Sequence, residues 1–207
     1  MKKSFIFIFI TLFVCPPTFA DDVEEVDRLI RGTVDTVFTI INDKDLDNSV
    51  KKEKIMAEVT RVFDLPLMAK LTLGREHWTR LNNEQREEFT DLFIKQMKST
   101  YLGQVELAAD FRVLFEKPMQ QDNKMTMLTR AITKDEPIKI LYKLYKNKTQ
   151  WQIYDVEIQD VSVIKSYGTQ YRQILKEGTY ADLAGRMKEK VEQNEKEILE
   201  KKGDKLF

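Results

Sequence analysis

An α+β domain, with helices covering one face of an antiparallel sheet, is the architecture this sequence predicts. Three observations predict it. Apolar residues recur at helical spacing from Val23 to about Ala109, alternate from residue 111 to 163, and return to helical spacing after Lys165. No internal repeat, Gly/Ser linker or Pro-rich stretch divides residues 21–207, so a single domain is expected there.

The first twenty residues are set apart as an address. Lys2 and Lys3 precede an almost unbroken apolar run, Ser4 to Val14, and Thr18-Phe19-Ala20 offers small residues at a cleavage site. That is the layout of a secretory signal peptide, with a run too short for a ~30 Å bilayer core. Cys15 closes the run, but the bulky Val14 stands where lipoprotein processing wants a small side chain, so cleavage after Ala20 is the expectation. Removing residues 1–20 takes Lys2, Lys3 and the one Cys, and leaves 187 residues with 32 basic against 34 acidic side chains. A net charge of −2 argues against a nucleic-acid partner, and a chain without Cys must be stabilised by its core.

The elements follow in order. Val26, Ile30, Val34, Val37 and Ile41 form one helix face, and Val50, Ile55, Val59 and Val62 mark a second helix over residues 49–62. Pro66 begins a short helix that ends at Gly74. Asn82 with Gln85 three residues on is a capping box, opening a long helix to about Ala109. Its stripe is Phe89, Leu92, Phe93, Gln96, Met97, Thr100, Tyr101 and Val105. Residues 111–116, 124–133, 137–146 and 150–163 then read as four strands in a meander, the last one long. Tyr167, Tyr171, Ile174 and Leu175 mark the next helix, which Gly178 breaks. Thr179 with Asp182 opens a final helix carrying Leu183, Met187 and Val191. Residues 186–205 hold 13 charged side chains of mixed sign, a charged helical tail expected to be solvated.

The strands carry apolar groups on both faces. One face of 137–146 reads Ile138, Ile140, Tyr142, Leu144. In 151–158, Trp151 and Ile153 fall on one face and Tyr154, Val156 and Ile158 on the other. A packed core and an enclosed apolar pocket both account for that bulk.

Little points to catalysis. His77 is the one His, it is read in a connection between helices, and no nucleophile motif or phosphate-cradling glycine loop accompanies it. One His and no mature Cys exclude multi-His and Cys metal sites. Asp155, Glu157 and Asp160 cluster near the last strand, but their neighbours give no sign of the burial that would raise a pKa. Binding is favoured over an enzyme.

An ordered set of residues carries a resemblance. Phe63-Asp64, Pro66, Met68-Ala69, Leu73-Gly74, Trp78, Gln85, Phe89, Phe93 and Tyr101 are followed by Pro137-Ile138, Tyr142, Trp151, Tyr154-Asp155-Val156, Val161-Ser162-Val163, Tyr167, Gln170, Gly178 and Leu183. In order and spacing this resembles the MlaC, or toluene-tolerance auxiliary ABC-transport, family of soluble periplasmic phospholipid carriers. Gly168 stands where many members have Arg, and Asp160 where many have Gly. Both are read in the turn from sheet to helix.

The resemblance implies helices packed on a curved antiparallel sheet of about four to five strands, an NTF2-like cone enclosing an apolar cavity. It implies a periplasmic carrier with phospholipid as cargo and no cofactor, serving outer-membrane lipid asymmetry. Its partners would be an inner-membrane Mla ABC transporter complex and an outer-membrane Mla lipoprotein complex, and the chain would act as a monomer. Candidate cavity residues are Phe89, Phe93, Met97 and Tyr101 on the helical stripe and Tyr142, Leu144, Trp151, Tyr154 and Val156 on the strands. Lys70 and Arg75, flanking Leu73-Gly74, are weaker candidates for the head group. A periplasmic chaperone or carrier of another apolar ligand is the alternative, and an enzyme on the same scaffold a third class, recognised by a polar cavity with a buried carboxylate.

Overall fold

The computed structural model describes residues 19–101, 111–133 and 136–203. Helices α1 (Phe19–Asn42), α2 (Asn48–Val62), α3 (Leu65–Arg80) and α4 (Asn83–Tyr101) come first. Strands β1 (Arg112–Phe115), β2 (Met119–Gln121), β3 (Lys124–Ile132), β4 (Ile138–Lys146), β5 (Trp151–Ile158) and β6 (Val161–Ser162) follow, then α5 (Val163–Glu177) and α6 (Tyr180–Gly203). The α+β expectation holds.

Local chemistry sets the helix boundaries. Asp64 caps α3 by accepting from Leu67 N at 2.9 Å. The predicted box at α4 is formed in both directions, Gln85 N to Asn82 Oδ1 at 2.8 Å and Asn82 N to Gln85 Oε1 at 3.1 Å. Thr179 and Asp182 make the equivalent box at α6, with Thr179 N to Asp182 Oδ2 at 2.7 Å. Gly74 interrupts α3 as expected, with φ 79° and ψ 159°. The helix does not end there, however. It resumes through Arg80 because Trp78 packs edge-on against Phe89, 6.3 Å between centroids, which rewards a second limb; His77 is therefore helical. The expected continuation of α4 to Ala109, with Val105, lies outside the described residues.

The sheet has six strands, in the order β1-β3-β4-β5-β6 with β2 also on β3, all antiparallel. The four predicted strands are thus too few. β2 is three residues long, too short to show an alternation. The predicted long strand 150–163 is two strands, because Gln159 and Asp160 adopt φ of 49° and 64° and fold β6 back on β5. Asp160 therefore sits in a hairpin turn, where Lys139 donates to it at 2.7 Å, and Gly168 sits inside α5; neither is in a sheet-to-helix turn.

One main core joins all six helices to the sheet's inner face, with Val26, Ile30, Met68, Leu73, Phe89, Phe93, Met125, Met127, Leu144, Ile153, Leu183 and Met187 all at most 2% exposed. α6 belongs to this core. Met187 and Val191 are buried, Lys188 pairs with Glu88 at 2.8 Å, and Asn194 donates to Ser99 and Thr100 of α4. Part of the charged tail is thus docked, contrary to a purely solvated one.

Candidate functional site

The register sorts the inner face of the sheet into rungs. Met125, Leu144 and Ile153 lie side by side, then Met127, Tyr142 and Val156, then Phe115, Thr129, Ile140 and Ile158, then Val113, Ala131 and Ile138. Burial falls along this series outside β3. The first rung is at most 1% exposed in all three members, whereas on the last two rungs Thr129 and Ala131 stay buried, at 1% and 5%, and their neighbours Phe115, Ile140, Ile158, Val113 and Ile138 are only half-buried. The apolar inner face is closed at one end and carries accessible surface at the other.

Helices bring half-buried apolar groups to the same core. Met97 and Tyr101 from the last turns of α4 and Ile164 from the first turn of α5 pack against the core without being sealed by it. The end of α4 is tied to α5 where Tyr167 Oη donates to Thr100 Oγ1 at 3.3 Å. Tyr101 lies beside Tyr167, and burial pushes its phenol up to about 12. Tyr142 is enclosed by protein, which raises its pKa, yet it keeps some accessible surface.

The nine predicted cavity residues separate into three groups. Met97, Tyr101 and Tyr142 are half-buried and pack against the core. Phe89, Phe93, Leu144, Trp151 and Val156 are at most 8% exposed and consumed by packing. Phe89 stands edge-on to Tyr171 at 5.6 Å and Phe93 to Tyr167 at 6.2 Å. Trp151 is a latch for α1: its Nε1 donates to Asp22 Oδ1 at 3.2 Å, and Lys146, 2.5 Å from the same oxygen, lies over its ring. That pairing holds the Asp22 carboxyl below its ordinary value, the Lys146 bond being the largest cause.

Tyr154 is corrected. A bulge between Lys143 and Leu144 pairs Lys143 with Asp155 and Leu144 with Ile153, leaving Tyr154 as the extra residue. Val156 and Ile158 therefore share the inner face with Ile153, while Tyr154 goes outward, edge-on to Tyr145 at 6.1 Å and under Lys124 at 5.3 Å. The same bulge buries Asp155, 4% exposed, where it accepts from Ser162 Oγ at 2.8 Å, Ile164 N at 3.3 Å and Lys143 Nζ at 3.3 Å. Burial of this carboxylate was not expected, and its full set of donors gives it the work of fixing the start of α5 on the sheet. Phe115 and Ile164, which the sequence reading left out of the candidate lining, and Ile158, which it placed on the face of Val156, are half-buried against the same core.

Lys70 and Arg75 are exposed and have no carboxylate partner among the described residues. Lys70 lines a cleft of about 490 Å³ between α3 and α4 with Pro66, Trp78 and Arg86 and the carboxylates of Asp64, Glu87 and Asp91, separate from the half-buried rungs. Among the described residues no cluster of His, Cys, Asp and Glu fits a metal ion, and no helix is long and apolar enough to cross a membrane.

Against known proteins, residues 31–189 match the family model described as MlaC protein. No curated protein sequence matches. Among solved structures, the phospholipid-binding protein from Ralstonia solanacearum, determined in complex with a phospholipid, superposes with a TM-score of 0.73. It is 21% identical, and the alignment covers 80% of this chain and 96% of that one, a likeness that establishes the fold.

Proposed function

The chain belongs to the MlaC family, and from that premise we propose that it is a periplasmic carrier that binds the acyl chains of a phospholipid against its inner sheet face. It shuttles the lipid between an outer-membrane Mla lipoprotein complex and an inner-membrane Mla ABC transporter complex, and so maintains outer-membrane lipid asymmetry. The observation that carries this reading is the burial gradient. An inner face made of Phe115, Ile138, Ile140 and Ile158 retains apolar surface on the side where a simple core would close.

The energetics make such a face useful. Two acyl chains hold on the order of 30 methylenes, and at ~0.8 kcal/mol each their exposure costs roughly 20 kcal/mol or more. Free diffusion between membranes is closed by that cost, and a protein that covers the chains removes it. Met97, Tyr101 and Tyr142 complete the lining, over a wall of Phe93, Leu144 and Val156. The head group stays in water; of its two weaker candidate cations, Lys70 lies in the separate α3–α4 cleft and Arg75 is exposed on α3. Release needs no bond chemistry, since a partner that opens the face lets the lipid leave.

Transfer of a fluorescent phospholipid from donor to acceptor vesicles tests this. Transfer is expected to rise in proportion to the concentration of mature protein, and Met97→Lys, with its folding checked by far-UV circular dichroism, is expected to lose at least tenfold of that rate. Transfer that stays at the spontaneous rate with wild-type protein overturns the carrier reading, and suppression of client aggregation in its place selects the chaperone.

A further inference from the structure

Helices α3 and α5 cross with almost no space between them. A Cβ at Gly168 would stand 2.7 Å from Thr72 O, so only glycine lets the helices approach this closely. The same missing side chain makes room for Arg172, whose Nη1 lies 3.0 Å from that Cβ position. Its guanidinium thus rests in the notch, steadied by a 3.2 Å bond from Nη2 to Thr169 Oγ1.

The ridge around this notch is basic. Lys165, Arg172 and Lys176 are spaced to share the side of α5 next to Gly168, and Arg75 is exposed on α3, while Lys70 lies off the ridge in the α3–α4 cleft. None of Arg75, Lys165, Arg172 and Lys176 is paired with a carboxylate among the described residues. On the outer sheet face, by contrast, Arg130, Lys139 and Lys143 all have acidic partners. Over residues 65–80 and 163–177 six Lys and Arg stand against two Glu, in a mature chain whose net charge is −2. Leu71, 43% exposed, sits on the same stretch of α3.

We propose that the α3–α5 ridge docks an acidic segment of a protein partner, with the Arg172 guanidinium taking a carboxylate in the Gly168 notch. The proposal rests on the carrier reading for the identity of the partners. Complementary charge favours a protein over a bilayer. A lone exposed Leu is a small wedge for membrane insertion, and an acidic chain is repelled by an anionic surface beyond the ~8–10 Å over which salt screens its field. A rigid fork held between two helices suits a placed carboxylate.

The test uses the mature chain, Arg172→Glu and the pair Lys165→Glu with Arg172→Glu. Binding is measured by interferometry to the purified inner-membrane and outer-membrane Mla complexes of the same organism, at 50 and 300 mM NaCl, with phosphatidylglycerol vesicles as a third surface. The expected result is at least a tenfold loss of affinity for one complex at low salt, with most of the wild-type salt dependence gone. Arg172→Lys is expected to recover only part of it, which a purely structural role would not produce. Wild-type affinity in both charge-reversed proteins overturns the proposal, as does a loss confined to the vesicles, which assigns the ridge to membrane. Wild-type protein that binds neither complex overturns the carrier's partners instead. Circular dichroism and the melting curve show whether each variant is folded, and the salt dependence of the wild type reads the ridge without any variant.

Discussion

Single atoms decide several of this protein's features. At Gly168 any side chain meets the backbone oxygen of Thr72, so Gly168→Ala is expected to destabilise the fold by about 2 kcal/mol, overpacking against a carbonyl that cannot rotate away. A urea melt checks this: the midpoint falls while the slope stays. Gly168→Arg is expected to be no better tolerated, since its Cβ meets the same oxygen. Ionisable groups give a second handle. Tyr145 donates to Asp64 at 2.5 Å, and that carboxylate pushes its phenol up to about 12. A phenol whose folded pKa is raised contributes stability that is complete below about pH 10 and is lost as the pH climbs toward 12. Tyr145→Phe is therefore expected to flatten the fall in stability between pH 10 and 12, read by calorimetry or by phenolate absorbance. Asp22 works in the other direction. Its lowered pKa stabilises the α1 latch at neutral pH, and that part is lost as the pH falls below about 4. Because Lys146 is 40% exposed the contribution is less than about 1 kcal/mol, but Trp151 fluorescence at pH 3 should report the loosened contact.

Elements were legible where the chemistry is local. Asn82 with Gln85 and Thr179 with Asp182 announce helix starts because the residues that cap are themselves in the sequence window. Asn82→Ala is expected to cost about 1 kcal/mol in a denaturation curve. The resumption of α3 beyond Gly74 depends on Trp78 meeting Phe89 from another helix, which no window around Gly74 contains. Gln159 and Asp160 hide the β5–β6 turn, since a left-handed pair without glycine looks like ordinary strand. The bulge at Tyr154 is fixed by how β4 and β5 pair, and strict alternation therefore assigned Tyr154, Val156 and Ile158 to one face when the bulge places Tyr154 on the other. Side-chain direction was therefore less legible on the strands than on the helices. At the far end of the chain, Met187 shows that α6 is more than a charged tail. Met187→Ala, at 2% exposure between α6 and the core, is expected to cost about 3 kcal/mol.

Across the whole molecule, a closed and an open end share one apolar face. Met125, Leu144 and Ile153 anchor the closed end, with the Trp151 latch beyond them, and Phe115, Ile138, Ile140 and Ile158 leave the other end with surface to cover. The sequence carried the apolar content of this face but not the gradient, because burial along a rung depends on what the helices do above it. The gradient turns a family resemblance into a physical account, in which the half-covered rungs hold acyl chains that water rejects. Native mass spectrometry of the protein, purified without detergent from the cells that make it, tests that account most directly. The account predicts a bound mass equal to a diacyl phospholipid, lost in Met97→Lys. A folded wild-type protein that carries no lipid, or carries it equally with Lys at position 97, would contradict it.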